Sequence, residues 1–273
     1  MIHAFAPRAF IFDVDRTLST THGVITPETK RSLQNLARAG FLLGVCTGRS
    51  FAELRRAILP LFPSESWHIV SGGAQVVSSQ GDVLWEQTIP DIQVRAIGEH
   101  VRELGAEFGF SQGNVYAGTP PIVAYKAGQA WPVDTMNVDD LSDWTTCLLT
   151  IGTLNSEVEE YIESLAGLEV KAMVNSIGMP YYDITPQGIT KREGATIWAQ
   201  HQAVLLQDIA AFGDSENDLE VLDLVGVGVA MGNAIPELKA IADMEIGHAD
   251  ENGVAVFLDD FLQQHDSAQG DKN

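Results

Sequence analysis

The sequence predicts an α/β fold, a doubly wound, Rossmann-like parallel-sheet core with an inserted α+β cap domain. Three observations lead there. In two separate stretches of the chain, short apolar runs alternate with helical patterns, the signature of βαβ units. Three of those runs end abruptly in polar residues, as a parallel strand covered on both faces does at its carboxyl end. The segment between the two stretches follows a different order, helix first and extended segments after.

In the first stretch, Ala9-Phe10-Ile11-Phe12 is apolar and stops at Asp13. Thr26-Pro27-Glu28 supplies an N-cap, a proline at the first helical position and an acid in the first turn. Leu33, Leu36 and Ala37 form the buried stripe, and Gly40 ends the helix. Residues 41–46 read as the second strand. Thr47-Gly48-Arg49-Ser50 follows as a tight turn into a helix that carries Phe51, Leu54 and Ile58. Ile69-Val70 and residues 75–85 read as further strands.

The middle segment gives a helix over 92–108, extended segments, a helix over 156–165 and more extended segments. The second stretch opens near Thr190 with a helix over 192–202. The strand Ile209-Ala210-Ala211-Phe212 then runs into Gly213-Asp214. A helix over 218–224, the strand Val227-Gly228-Val229-Ala230 and a helix opened by Ala234-Ile235-Pro236-Glu237 complete the pattern. The expected division is a core built from 1–86 and 187–273, with 87–186 inserted. The last residues, about 264–273, are polar and are expected to form a loose tail.

Composition narrows the partners. The chain has 273 residues, 16 Lys and Arg against 37 Asp and Glu, and a formal charge of −21. So acidic a surface repels nucleic acid and anionic lipid, so neither nucleic acid nor a membrane is expected as a partner. A phosphate-ester ligand would need a bound cation and a few placed bases working against that field. Cys46 and Cys147 are too few for a disulfide framework and lack metal-ligand spacing. No apolar run reaches the ~20 residues that span a bilayer, and residues 1–8 lack the basic-then-apolar pattern of a secretory leader. A reducing cytoplasm is the expected setting, and oligomeric state is not legible.

The three strand ends carry the chemistry. They are Asp13-Val14-Asp15-Arg16-Thr17, Thr47-Gly48-Arg49 and Gly213-Asp214-Ser215-Glu216-Asn217-Asp218. In a sheet of this type ligands sit at the carboxyl ends of strands, so Asp13, Asp15, Asp214 and Asp218 are expected in one crevice. That many carboxylates share a small pocket only when a cation neutralises them, and all-oxygen ligation argues for Mg²⁺. Phosphoryl transfer asks for such parts: an in-line nucleophile, a cation, and donors around the equatorial oxygens. A carboxylate can be the nucleophile and a second one the acid and base. Thr17 and Thr47 offer hydroxyls and N–H groups, and Lys191, just before a predicted helix, can neutralise the nucleophile and the phosphoryl group.

On these residues the sequence resembles the haloacid dehalogenase superfamily of phosphatases, and within it the Cof-like branch with a large cap of the C2 type after the second motif. The matching motifs, in order, are Asp13-Val14-Asp15-x-Thr17-Leu18, Thr47-Gly48-Arg49, Gly188-Ile189-Thr190-Lys191 and Gly213-Asp214-Ser215-Glu216-Asn217-Asp218. Ala230-Met231-Gly232-Asn233-Ala234 and Asn252-Gly253-Val254-Ala255 are also similar to this branch. The resemblance implies Asp13 as nucleophile and Mg²⁺ ligand, and Asp15 as general acid and base with its backbone carbonyl on Mg²⁺. It further implies Thr17, Thr47, Gly48, Lys191 and Asn217 around the phosphoryl group. Asp214 would be a metal ligand, and Asp218 a ligand through water or an orienter. Two positions depart from the family: Arg16 stands where glycine is usual, and Gly73 where asparagine is frequent.

Other chemistries find less support. Cys46 reads as a small packed residue, and the seven histidines show no triad or zinc pattern. Arg49 fits phosphate binding and a structural ion pair equally. Lys126 and Tyr181-Tyr182-Asp183 could face a substrate, although packing or solvation is the simpler reading of each. The expected reaction is hydrolysis of a small phosphomonoester, a sugar phosphate or a phosphorylated cofactor. A phosphotransferase or mutase with the same intermediate, and a non-catalytic phospho-ligand binding module, remain as alternatives.

Overall fold

The computed structural model describes residues 7–174 and 178–270. Its first stretch comprises β1 (Ala9–Phe12), α1 (Pro27–Arg38), β2 (Leu42–Val45), α2 (Phe51–Leu54), β3 (Trp67–Val70), β4 (Gln75–Ser78) and β5 (Val83–Glu86). The middle contains α3 (Asp91–Glu103), β6 (Glu107–Gln112), β7 (Val115–Gly118), α4 (Pro120–Ala127) and β8 (Asp134–Asn137). It continues with β9 (Leu149–Gly152), α5 (Ser156–Glu163), β10 (Leu168–Val174) and β11 (Pro180–Pro186). The remainder is α6 (Lys191–His201), β12 (Ile209–Gly213), α7 (Leu219–Leu224), β13 (Val227–Ala230), α8 (Pro236–Ile241), β14 (Met244–Glu245) and α9 (Gly253–Gly270).

The expected parallel sheet is present, with strand order β14-β13-β12-β1-β2. Phe12 pairs with both Phe212 and Val45, so the three carboxyl ends stand level. Successive strands leave β1 in opposite directions, which opens a crevice above its end. The strands are buried on both faces, and stacked rings of Phe12 and Phe212 lie 4.8 Å apart at their centre. One edge is continued by a bridge between Cys46 and Ile69 into the antiparallel sheet β3-β4-β5. A second sheet, β10-β11-β9-β6-β7-β8, lies wholly within 107–186 and has its own apolar core around Phe108, Phe110, Trp144 and Ile151.

Local expectations failed at identifiable places. The helix expected over 92–108 stops at Glu103, because Gly105 turns with φ +80 and the chain re-enters as β6, burying Phe108 in the sheet. The helix expected to include Ile58 is only Phe51–Leu54; residues 55–58 continue as turns, and a tighter helical turn over Leu59–Leu61, with Pro60 in its first positions, follows. Helix α4 was expected as extended chain, although Thr119-Pro120-Pro121 carries a helix-start signal. The tail expected to be loose is helical as far as Gly270, with His265 packed on Phe41 and Phe261; residues 271–273 lie outside the described residues. Among the described residues, no helix is long and apolar enough to cross a membrane.

Candidate active site

Asp13 leaves the sheet one residue beyond β1, with its N–H donated to the Phe212 carbonyl at 2.9 Å. Its carboxylate is almost fully buried, and Oδ1 accepts from Lys191 Nζ at 2.7 Å. The same ammonium donates to Asp218 Oδ1 at 2.6 Å. Lys191 is the first residue of α6, held there by Thr190, whose hydroxyl caps the helix while Glu193 accepts the Thr190 N–H at 3.1 Å. Gly73 sets how close this helix end comes. Its φ is +98, and a Cβ there would fall 1.9 Å from the Thr190 carbonyl oxygen, so the asparagine frequent in relatives has no room in this chain.

Asp214 follows β12. Asp218 Oδ2 accepts the N–H groups of Asp214 and Ser215 at 2.9 and 3.1 Å, so both oxygens of Asp218 are engaged inside the protein. Carboxylate oxygens of Asp13, Asp214 and Asp218 all lie within 4.8 Å of one another. Burial and the neighbouring acids push Asp13 well above the usual carboxylate range, against the pull of Lys191. Burial, with Asp218 beside it, lifts Asp214 to about 7. Burial alone would depress Lys191, but Asp13 and Asp218 more than reverse it and hold it charged. One ammonium among three buried carboxylates leaves excess negative charge, and the donors are all oxygen. The set fits a hard divalent cation.

Asp15 stands apart. Its carboxylate is gripped by Arg49 through two bonds, Nε at 2.6 Å and the terminal nitrogen at 2.8 Å. Arg49 therefore forms the ion pair that was one of its two readings. Its guanidinium also stacks 4.4 Å from the Trp131 ring and approaches Glu53 at 3.6 Å. Arg16 adopts φ +60, the left-handed region for which glycine is the easy residue, and its side chain reaches Asp214 at 3.3 Å. The turn is held by Asn233, whose amide donates to the Arg16 carbonyl at 2.8 Å. The loop thus keeps the conformation a glycine would take and gains a cation at its rim.

Thr47 is buried and lines the crevice; its hydroxyl accepts the Arg49 N–H at 3.2 Å. Gly48 and Asn217 line the same wall, the Asn217 amide nitrogen 3.9 Å from where a Gly48 Cβ would sit. Thr17 is buried beneath the turn rather than on the wall, and its hydroxyl has no hydrogen-bond partner among the described residues. Cys46 is free and buried, and burial raises its thiol to about 12, as suits packing rather than reaction. The crevice measures about 1470 Å³ and is walled by the strand-end loops below and by residues of 105–183 above. Lys126, Tyr181 and Asp183 do face it, whereas Tyr182 packs into the second core. Asn233, Glu53 and Trp131 had no role in the sequence reading; only the Asn233 motif carried a signal, its likeness to the Cof branch.

Fold and site together define an α/β enzyme that handles an anionic ligand at an aspartate-rich strand end. The chain belongs to the haloacid dehalogenase-like hydrolase family, whose model matches residues 10–258. Solved structures share the fold. BT1666 from Bacteroides thetaiotaomicron, a phosphatase of the haloalkanoate enzyme superfamily, is 23% identical, with 94% of this chain and 96% of that one covered and a TM-score of 0.76. The subclass IIB sugar phosphatase BT4131 is 24% identical over 93% and 98% of the chains, TM-score 0.75. TM0651 from Thermotoga maritima is 22% identical over 93% and 97%, TM-score 0.76.

The buried cluster predicts the effect of removing its cation. Lys191→Met leaves Asp13 and Asp218 buried without a counter-charge and should cost about 3–5 kcal/mol of stability. The loss should shrink as pH falls, because Asp13, already raised by burial, then takes up a proton. Urea unfolding of both proteins in EDTA, near neutral and at acid pH, reads both effects.

Proposed function

We propose that this protein is a Mg²⁺-dependent phosphomonoester hydrolase acting through an aspartyl phosphate on Asp13, with a small phosphorylated metabolite as substrate. The observation that carries the reading is the placement of Asp13. It follows β1 at the floor of the crevice, 2.7 Å from Lys191 and within the carboxylate cluster.

In this reading, a carboxylate oxygen of Asp13 attacks phosphorus as the ester P–O bond breaks. In its protonated form, with one oxygen released from Arg49, Asp15 gives that proton to the leaving oxygen. The resulting carboxylate then takes a proton from water, whose oxygen attacks the phosphorus of the aspartyl phosphate and frees Asp13. Arg49, bonded to both oxygens of Asp15, fixes its direction. Lys191, Thr47, Gly48 and Asn217 surround the phosphoryl group; Thr17 supports the turn from beneath. Asp13, the Asp15 carbonyl and Asp214 would hold Mg²⁺, and Asp218, with both oxygens already taken, orients Lys191 and the Asp214 loop. Bound there, Mg²⁺ would neutralise charge developing on the phosphoryl oxygens. Residues 87–186 serve as a cap over a core of 1–86 and 187–273, supported by the separate apolar core of the second sheet. Closure would exclude water from the transfer.

Phosphate release from p-nitrophenyl phosphate should require Mg²⁺, stop with EDTA, and fall about a thousandfold or more in Asp13→Asn. Near-wild-type turnover by that variant would sink the nucleophile assignment. Metal binding should also follow pH. Asp214, raised to about 7, and Asp13, raised by burial, must lose their protons to ligate, so Mg²⁺ affinity should weaken as pH falls through neutrality, by about tenfold per unit or more. Calorimetric titration of Mg²⁺ on either side of neutrality measures it, and a flat affinity would contradict proton release from these carboxylates on binding.

A further inference from the structure

The upper part of the crevice has a charge pattern that the phosphoryl-transfer chemistry does not require. Away from the Asp13 cluster its walls carry Glu53, Glu107 and Asp183. The lysines and arginines that line it are each committed to an acid: Arg16 to Asp214 at 3.3 Å, Arg49 to Asp15 at 2.6 Å, and Lys126 to Glu53 at 2.5 Å. Glu53 is buried, and Lys126 and Arg49 together outweigh its burial and pull it down to about 2. Drawing Lys126 away toward a ligand would strand that ionised carboxylate. His22 is the other basic group on the wall, and it is exposed at the rim. Among the described residues, each lysine and arginine lining the crevice stands beside an acid, and Lys126 and Arg49 are hydrogen-bonded to theirs.

Asp183 is the acid best placed to meet a leaving group. It lies on β11, and its Oδ1 accepts the Thr150 hydroxyl at 2.9 Å. Its Oδ2 is 3.6 Å from where a Cβ on Gly48 would sit, so it overhangs the Thr47-Gly48 loop. No described residue donates to that oxygen. Asp183 is half-buried and faces the crevice, and burial raises the group to about 6, so near neutral pH it is an ionised acceptor open to a donor from the crevice.

We propose that Asp183 is a specificity-determining residue that accepts hydrogen bonds from a hydroxyl-rich, uncharged leaving group and, with its acidic neighbours, excludes esters bearing a second anionic group. This deepens the hydrolase reading and rests on it. Like-charge repulsion, together with an acceptor placed to be met by one ligand and not by another, is how a polar site rejects a near-isostere.

The test measures kcat/KM for matched pairs in which only the second group differs: glucose 6-phosphate against 6-phosphogluconate, glycerol phosphate against phosphoglycerate, and fructose 6-phosphate against fructose 1,6-bisphosphate. Acetyl phosphate, which has no polyol to recognise, reports the chemistry alone. The neutral member of the best pair should be favoured about tenfold or more, and Asp183→Asn should shrink that preference about tenfold by improving the anionic member and weakening the neutral one. Equal or better turnover of the anionic members by the wild type overturns the proposal. So does an unchanged preference in Asp183→Asn, since a merely structural defect lowers both members alike. If wild-type protein does not turn over even acetyl phosphate, the hydrolase reading falls and takes this inference with it. If acetyl phosphate turns over and the preference is absent, this inference alone fails.

Discussion

A single buried ammonium holds the centre of this molecule together. Lys191 bridges Asp13, which follows β1, and Asp218, which ties the loop after the neighbouring strand. Two buried carboxylates repel, and each would tend to protonate in an apolar interior. The lysine offsets part of that cost and fixes their positions. Much of the local architecture serves that contact. The capping of α6 by Thr190 and Glu193 places the lysine, and the bare Cα of Gly73 lets the helix end approach the sheet. Asp218 in turn organises the Asp214 loop through two backbone N–H groups.

A second layer of charge surrounds the first. Asp15 is held by Arg49, Arg49 is stacked on Trp131, and Glu53 is paired with Lys126. Trp131 and Lys126 belong to the inserted segment, while Asp15, Arg49 and Glu53 belong to the first stretch. The contacts between the two segments are thus made in part by charged groups next to the crevice. At the crevice, base is matched with acid, although the chain as a whole carries a formal charge of −21.

Most of the sheet was legible because its strands are buried on both faces, which leaves unbroken apolar runs with polar ends. Asp13, Thr47 and Asp214 stood out for the same reason. Shorter signals were overridden. Gly105 cut a helix whose apolar positions continued into a strand, and residues 55–58 leave α2 as turns. Helix α9 escaped notice because its last turns are polar and are secured by ring contacts of His265 with Phe41 and Phe261. In the site, Lys191 was legible from its place before a helix, but the partners of Asp15 and Glu53 were not. Those pairs join residues distant in sequence or on different segments, as with Glu53 and Lys126, and no periodicity encodes them. Arg16 illustrates the limit from the other side: its identity departs from the family pattern, yet the backbone there keeps the left-handed turn.

The central claim is that the Asp13 carboxylate itself accepts the phosphoryl group. The most direct measurement is to quench the enzyme during turnover with Mg²⁺, reduce it with borohydride, and identify the modified residue by peptide mass spectrometry. Reduction converts an aspartyl phosphate to homoserine. The account predicts homoserine at position 13, dependent on substrate and on Mg²⁺, and its absence when substrate is withheld. Steady turnover with an unmodified Asp13, or with the modification at another residue, would contradict it.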